Sequence, residues 1–116
     1  MANVIIALGS NYQQTAHIQW ASQRLTTLLH DVRFSRMLWT QDIHGTDIFY
    51  MNRLAAGTTT LSSDALQQTL KTIEAETGRT AGNVTIDLDL MQYESQRYHE
   101  KDWSRPYVEL LIPDIL

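Results

Sequence analysis

The chain has 116 residues, the length of one ordinary domain and enough to bury a core, so 1–116 is expected to form a single domain. Nine Lys and Arg against 13 Asp and Glu give a formal charge of −4 with no basic cluster, which speaks against duplex nucleic acid or an anionic membrane as a partner. Cysteine is absent, which excludes disulfides, thiolate metal sites and a cysteine nucleophile and fits a reducing cytoplasm. The longest apolar run near the start, "VIIAL" at 4–8, is too short to span a bilayer and has no basic leader, so a soluble cytoplasmic protein is expected.

In chain order, Asn3 to Leu8 is β-branched and apolar and stops at "GSN", a buried strand followed by a turn. From about Gln13 to Leu29, the residues Ile18, Ala21, Leu25 and Leu28 recur at helical spacing among polar residues, which makes an amphipathic helix. "VRFSRMLW" alternates through Val32, Phe34, Arg36 and Leu38 as a strand does, and "IFYMNRLAAG" does so again, with "TQDIHGTD" at 40–47 looping between them. Ser62 or Ser63 is placed to cap a helix whose apolar stripe is Leu66, Leu70 and Ile73, and Gly78 supplies its left-handed stop. "NVTIDLDLMQY" at 83–93 reads as a fourth strand. Residues 94–116 carry few regular signals, and Pro106 and Pro113 argue against a helix through them, so an irregular tail folded over the sheet is expected.

The order β-α-β-β-α-β is the split βαβ pattern: an antiparallel sheet with both helices on one face, in the α+β class. Strand alternation points Ile86, Leu88 and Leu90 toward the helices and Asp87, Asp89 and Met91 toward the helix-free face. The two carboxylates then lie roughly 7 Å apart along one strand. By itself such a pair reads first as a solvated face, where water screens the repulsion. The other reading is a magnesium site, because Mg²⁺ is commonly held by one or two carboxylates with waters and substrate phosphates completing its octahedron. Arg79, His99 and Arg105 lie where they can bring positive charge to a triphosphate.

Several segments, in order, resemble one family, the 6-hydroxymethyl-7,8-dihydropterin pyrophosphokinases of folate biosynthesis. "ALGSN" at 7–11 is similar to that family's first strand and turn, and "FYMN" at 49–52 to its aromatic-x-Asn segment. "IEAETGR" at 73–79 followed by "TIDLDLM" at 85–91 matches its most diagnostic pair of motifs, and His99, Arg105 and Tyr107 match its tail. The resemblance implies a ferredoxin-like α+β domain that moves the two terminal phosphates of ATP, as one unit, to the hydroxymethyl group of a reduced pterin, releasing AMP. It implies Mg²⁺ on Asp87 and Asp89, catalytic help from Arg79, and a nucleotide site of Arg79, His99, Arg105 and Glu74. For the pterin it implies Thr40, Gln41 and Ile43 of the loop after the second strand, then Asn52, a stacking Tyr107, and Tyr50 as a further wall. An amide suits a pterin edge because it offers a donor and an acceptor together. ATP and the pterin are the expected partners of a monomer.

The chain departs from the family where charge matters. A longer mobile loop carrying arginines and a tryptophan is reduced here to "TAGNV", and Val84 stands where the family has an arginine. The stretch from Asp89 to His99 is short, and "LWTQD" replaces a proline-bearing loop. Losing a positioned cation from phosphoryl transfer costs orders of magnitude in rate, so a lid-poor enzyme of reduced activity is expected. The competing expectation is a non-catalytic or substrate-diverged relative that binds a pterin or nucleotide. An RNA-binding domain is disfavoured by the acidic charge and the missing basic-aromatic strand signature.

Overall fold

The computed structural model describes residues 1–41, 48–80 and 82–116. β1 (Ala2–Ser10) is the centre of the sheet, pairing antiparallel with β4 (Phe49–Thr59) on one side and with β5 (Asp87–Tyr93) on the other. β2 (His30–Phe34) and β3 (Leu38–Gln41) both pair with β4, and a short β6 (Gln96–Arg97) pairs with the end of β5. Between them run α1 (Gln14–Leu28) and α2 (Ser63–Ala75). The α+β antiparallel architecture expected from the element order is the one observed.

Alternation in the strands decides what each face buries. Val4, Ile6, Leu8, Ile86, Leu88 and Leu90 meet Ile18, Ala21 and Leu25 of α1 and Leu66, Leu70 and Ile73 of α2 in one apolar cluster. Ser62 caps α2 as its spacing indicates, its Oγ accepting from Ala65 N at 3.2 Å, and Gly78 turns with φ +70° just beyond the helix.

Three expectations need correction. The tail is not irregular: Pro106–Ile115 forms α3, preceded by a 3₁₀ turn at Glu100–Ser104. Pro106 occupies the first helical position, where a missing N–H costs nothing, and Pro113 falls in the last turn. The helix forms because Val108, Leu111 and Ile115 present one apolar stripe to Ala7, Leu54, Ala56 and Met91 on the second sheet face. That face is therefore partly covered by a helix, and Asp87 and Asp89 line a part of it that stays open. Second, "VRFSRMLW" is not one strand but two, broken at buried Ser35. Its hydroxyl accepts from Leu54 N at 2.8 Å while its own N donates to Leu54 O at 2.9 Å, so a side chain stands in the ladder for a backbone carbonyl. Third, β5 begins at Asp87, because Val84 is held instead by Asn11, which accepts from Val84 N at 2.8 Å and donates its own N to Val84 O at 2.9 Å.

Candidate active site

On the second sheet face, β1 carries small side chains, Ala7 and Gly9, at the end that lies between Asn52 and Asp87. Gly9 stands in register with both Asn52 of β4 and Asp87 of β5, and Ala7 with Leu54 and Asp89. A trough is left there because a Cβ on Gly9 would lie 3.6 Å from Asn52 Oδ1 and 4.0 Å from Tyr50 Cδ1. The result is a cavity of about 380 Å³. Its walls bring together eight of the residues picked from the sequence: Thr40, Gln41, Tyr50, Asn52, Asp87, Asp89, Arg105 and Tyr107. The size suits a small ring system and part of a phosphate chain better than a whole macromolecular surface.

The amide of Asn52 is fixed before any ligand arrives. Its Nδ2 donates to Thr40 Oγ1 at 2.6 Å across the β3–β4 pair, and Asn11 Nδ2 donates to the Tyr50 hydroxyl at 3.4 Å. Tyr50 and Asn52 share a face, as their spacing predicts. Burial pushes the Tyr107 phenol up to about 12, with the nearby Asp102 adding to it, so the ring offers a neutral hydroxyl at neutral pH. Ile43 lies outside the described residues.

Asp87 and Asp89 form the acidic end of the cavity. Burial, and then the charge of Asp87, raise the Asp89 carboxyl from 3.8 to about 7. Arg79 Nη1 lies 3.3 Å from Asp87 Oδ1, and His99 Nε2 4.0 Å from Asp89 Oδ1. Two hard carboxylates that repel each other in a half-buried site fit Mg²⁺, whose charge would relieve the repulsion. Among the described residues no cluster of three or more His, Cys, Asp or Glu could hold a metal, so remaining ligands would come from water and substrate phosphates.

Arg79, His99 and Glu74 stand outside the cavity walls. Arg79 and His99 reach the acidic pair from beside it, but Glu74 faces elsewhere. It is 6% exposed, and its Oε2 accepts from Leu88 N at 2.7 Å, where β6 does not extend far enough to pair with β5. Arg79 Nη1 at 3.3 Å and Lys71 Nζ at 3.2 Å complete its partners. Glu74 thus ties the second helix to the strand bearing both aspartates.

Sequence reasoning passed over three contributors. Gly9 forms the floor, and only the strand register shows that it separates Asn52 from Asp87. Asn11 holds the segment entering β5. Asp102 lines the cavity and accepts from Arg105 Nε at 2.7 Å, an i,i+3 pair that the chain carries in plain view. That bond raises the Arg105 pKa further.

A model of the 7,8-dihydro-6-hydroxymethylpterin-pyrophosphokinase (HPPK) family matches residues 5–116. The chain belongs to that family. HPPK membership fits the joint presence of Ala7, Leu8 and Gly9, the Tyr50/Asn52 face and the D-x-D strand at one cavity. Two curated plant relatives are each 30% identical over 97% of this chain: a "Folate synthesis bifunctional protein" of Arabidopsis thaliana, over 129 residues, and a "Folate synthesis bifunctional protein, mitochondrial" of Pisum sativum, over 128. The chain spans about a quarter of the length of these relatives, 27% and 25%. No helix among the described residues is long and apolar enough to cross a membrane.

Proposed function

We propose that this HPPK-family chain, acting as one domain over 1–116, transfers the β,γ-pyrophosphoryl group of ATP to the hydroxymethyl oxygen of 6-hydroxymethyl-7,8-dihydropterin in folate biosynthesis. The oxygen forms a bond to the β-phosphorus as the bond from that phosphorus to the α-phosphate oxygen breaks, and AMP and a proton are released. The observation that carries the assignment is the convergence of Asp87 and Asp89 with Asn52, Tyr107 and Arg105 around one cavity.

Asp87 and Asp89 would hold Mg²⁺, which when bound neutralises charge on the triphosphate. The chain's own groups orient the reactants. The fixed amide of Asn52, with Thr40 and Gln41, addresses the hydrogen-bonding edge of the pterin, while Tyr50 and Tyr107 provide aromatic walls. Arg105, His99 and Arg79 offer donors to the phosphate chain. No protein nucleophile is required, so catalysis rests on positioning and charge.

A second reading is a pterin- or nucleotide-binding relative without turnover. What favours it is that Arg79 is already engaged by Asp87 and Glu74, while "TAGNV" adds no cation of its own. The deciding assay follows AMP release with ATP, Mg²⁺ and the pterin, comparing the native chain with Asp89→Ala. Pterin-dependent AMP that the substitution abolishes is expected. Pterin binding by calorimetry without AMP would establish the second reading instead.

A further inference from the structure

The turn between β6 and α3 holds an ion pair inside the cavity wall whose acidic member has no role in the reaction described above. Its basic member, Arg105, has a backbone restrained on several sides. Pro106 follows it and confines it to extended geometry, observed as φ −67° and ψ 140°. Its carbonyl accepts from Val108 N at 3.1 Å and Glu109 N at 3.2 Å, opening α3. Its own N donates to Asp102 O at 3.1 Å, and Asp102 N donates in turn to His99 O at 2.8 Å. Only the long side chain of Arg105 remains to be ordered, and the Asp102 carboxylate takes its Nε at 2.7 Å. Both side chains are about two-thirds shielded, 33% and 29% exposed, so the pair is screened less than a surface salt bridge.

We infer that Asp102 is a positioning residue for nucleotide binding, fixing Arg105 through Nε so that its two terminal nitrogens stand ready for phosphate oxygens. The inference rests on the proposed role of Arg105 toward ATP. A guanidinium held at Nε keeps four N–H donors on its outer end, the geometry that grips phosphate in two-pronged fashion. Ordering a long side chain before the ligand arrives removes a cost otherwise met on binding, which corresponds to roughly 3- to 10-fold in affinity. The rival physical effect has the opposite sign. A carboxylate in the cavity repels triphosphate, so if repulsion dominated, neutralising Asp102 would tighten binding.

The test is calorimetric titration of the 116-residue chain with Mg²⁺ and α,β-methylene-ATP, whose α–β linkage cannot be cleaved. Asp102→Ala is expected to weaken binding about 3- to 10-fold. Asp102→Asn keeps an acceptor for Nε and is expected to stay within about 3-fold of native. Arg105→Ala is expected to bind at least as weakly as Asp102→Ala, and the double variant no more weakly than Arg105→Ala alone, because Asp102 acts through Arg105. A purely structural role would lower the melting temperature of all Asp102 variants and add to the Arg105 effect, which overturns the inference. Native or tighter binding by Asp102→Ala, with Arg105→Ala weak, also overturns it while leaving the nucleotide role of Arg105 intact. Unchanged binding by Arg105→Ala would remove that role and the inference together.

Discussion

The acidic pair should cost this protein stability when no cation is bound, and Asp89→Asn should reveal that cost. The Asp89 carboxyl is raised from 3.8 to about 7 by burial and by Asp87, and its side chain is only 25% exposed. A carboxyl whose folded pKa lies above its unfolded one binds its proton more tightly in the folded state, so stability falls as pH rises from about 4 to about 7 and stays low above that. At about 1.4 kcal/mol per pH unit the shift corresponds to at most about 4 kcal/mol, of which about 2 kcal/mol falls to Asp89, the rest being repulsion shared with Asp87. An amide at the same place carries no charge to desolvate. For 116 residues, 1 kcal/mol moves the melting temperature by about 4 °C. Thermal unfolding at pH 8 without divalent cations should then find Asp89→Asn about 8 °C more stable than native, and at about pH 3, below both the unfolded and the folded value, the two should nearly coincide. Saturating Mg²⁺ at pH 8 should raise the native protein toward the variant and leave the variant unmoved. A variant less stable than native at pH 8, or a gap independent of pH, would refute the electrostatic account of the pair.

The remaining predictions concern the same cavity and its supports. With Asp89 as a proposed metal ligand, proton and metal would compete for it, so the apparent Mn²⁺ affinity, read by calorimetry, should fall by up to about tenfold per pH unit below pH 7 and level off above it, whereas a flat profile would mean that Asp89 is not a ligand. Gly9→Val should fill the floor between Asn52 and Asp87, weakening pterin binding at least about tenfold in a fluorescence titration while shifting the melting temperature only a few degrees. Glu74→Ala should leave Leu88 N, Lys71 and Arg79 without their shared acceptor, costing about 2–3 kcal/mol in urea unfolding and lowering AMP release, and a loss below about 0.5 kcal/mol would show the carboxylate to be dispensable. Leu111→Ala should open a void beneath α3 and cost about 2–5 kcal/mol by the same measurement.

Much of the site was legible from local periodicity, because alternation in a strand is a strictly local rule. It put Asp87 with Asp89 and Tyr50 with Asn52, and it needed no knowledge of what lay across the sheet. The stripes of α1 and α2 were legible for the same reason. The prolines of the tail mislead because a proline breaks a helix in its middle turns, and neither of these lies there. At the first position of α3 and in its last turn a proline removes little, and the apolar stripe of Val108, Leu111 and Ile115 outweighs it. Ser35 misled in the opposite way, since its pattern fits a strand and only its hydroxyl, placed in the ladder beside Leu54, breaks one.

What the sequence determined by itself is therefore the β-α-β-β-α-β frame and the faces of its elements: which residues of the strands and of α1 and α2 point inward, and which polar groups share a surface. What only the tertiary structure decided is which of those surfaces meet. Pairing on both sides of β1 set Gly9 between Asn52 and Asp87, the packing of α2 on β5 made Glu74 a brace for that strand, and the turn before α3 joined Asp102 to Arg105. The physical reason is range: a side chain's face follows from its immediate neighbours in sequence, whereas its partners depend on strand register and on the path of a turn, which no local pattern encodes.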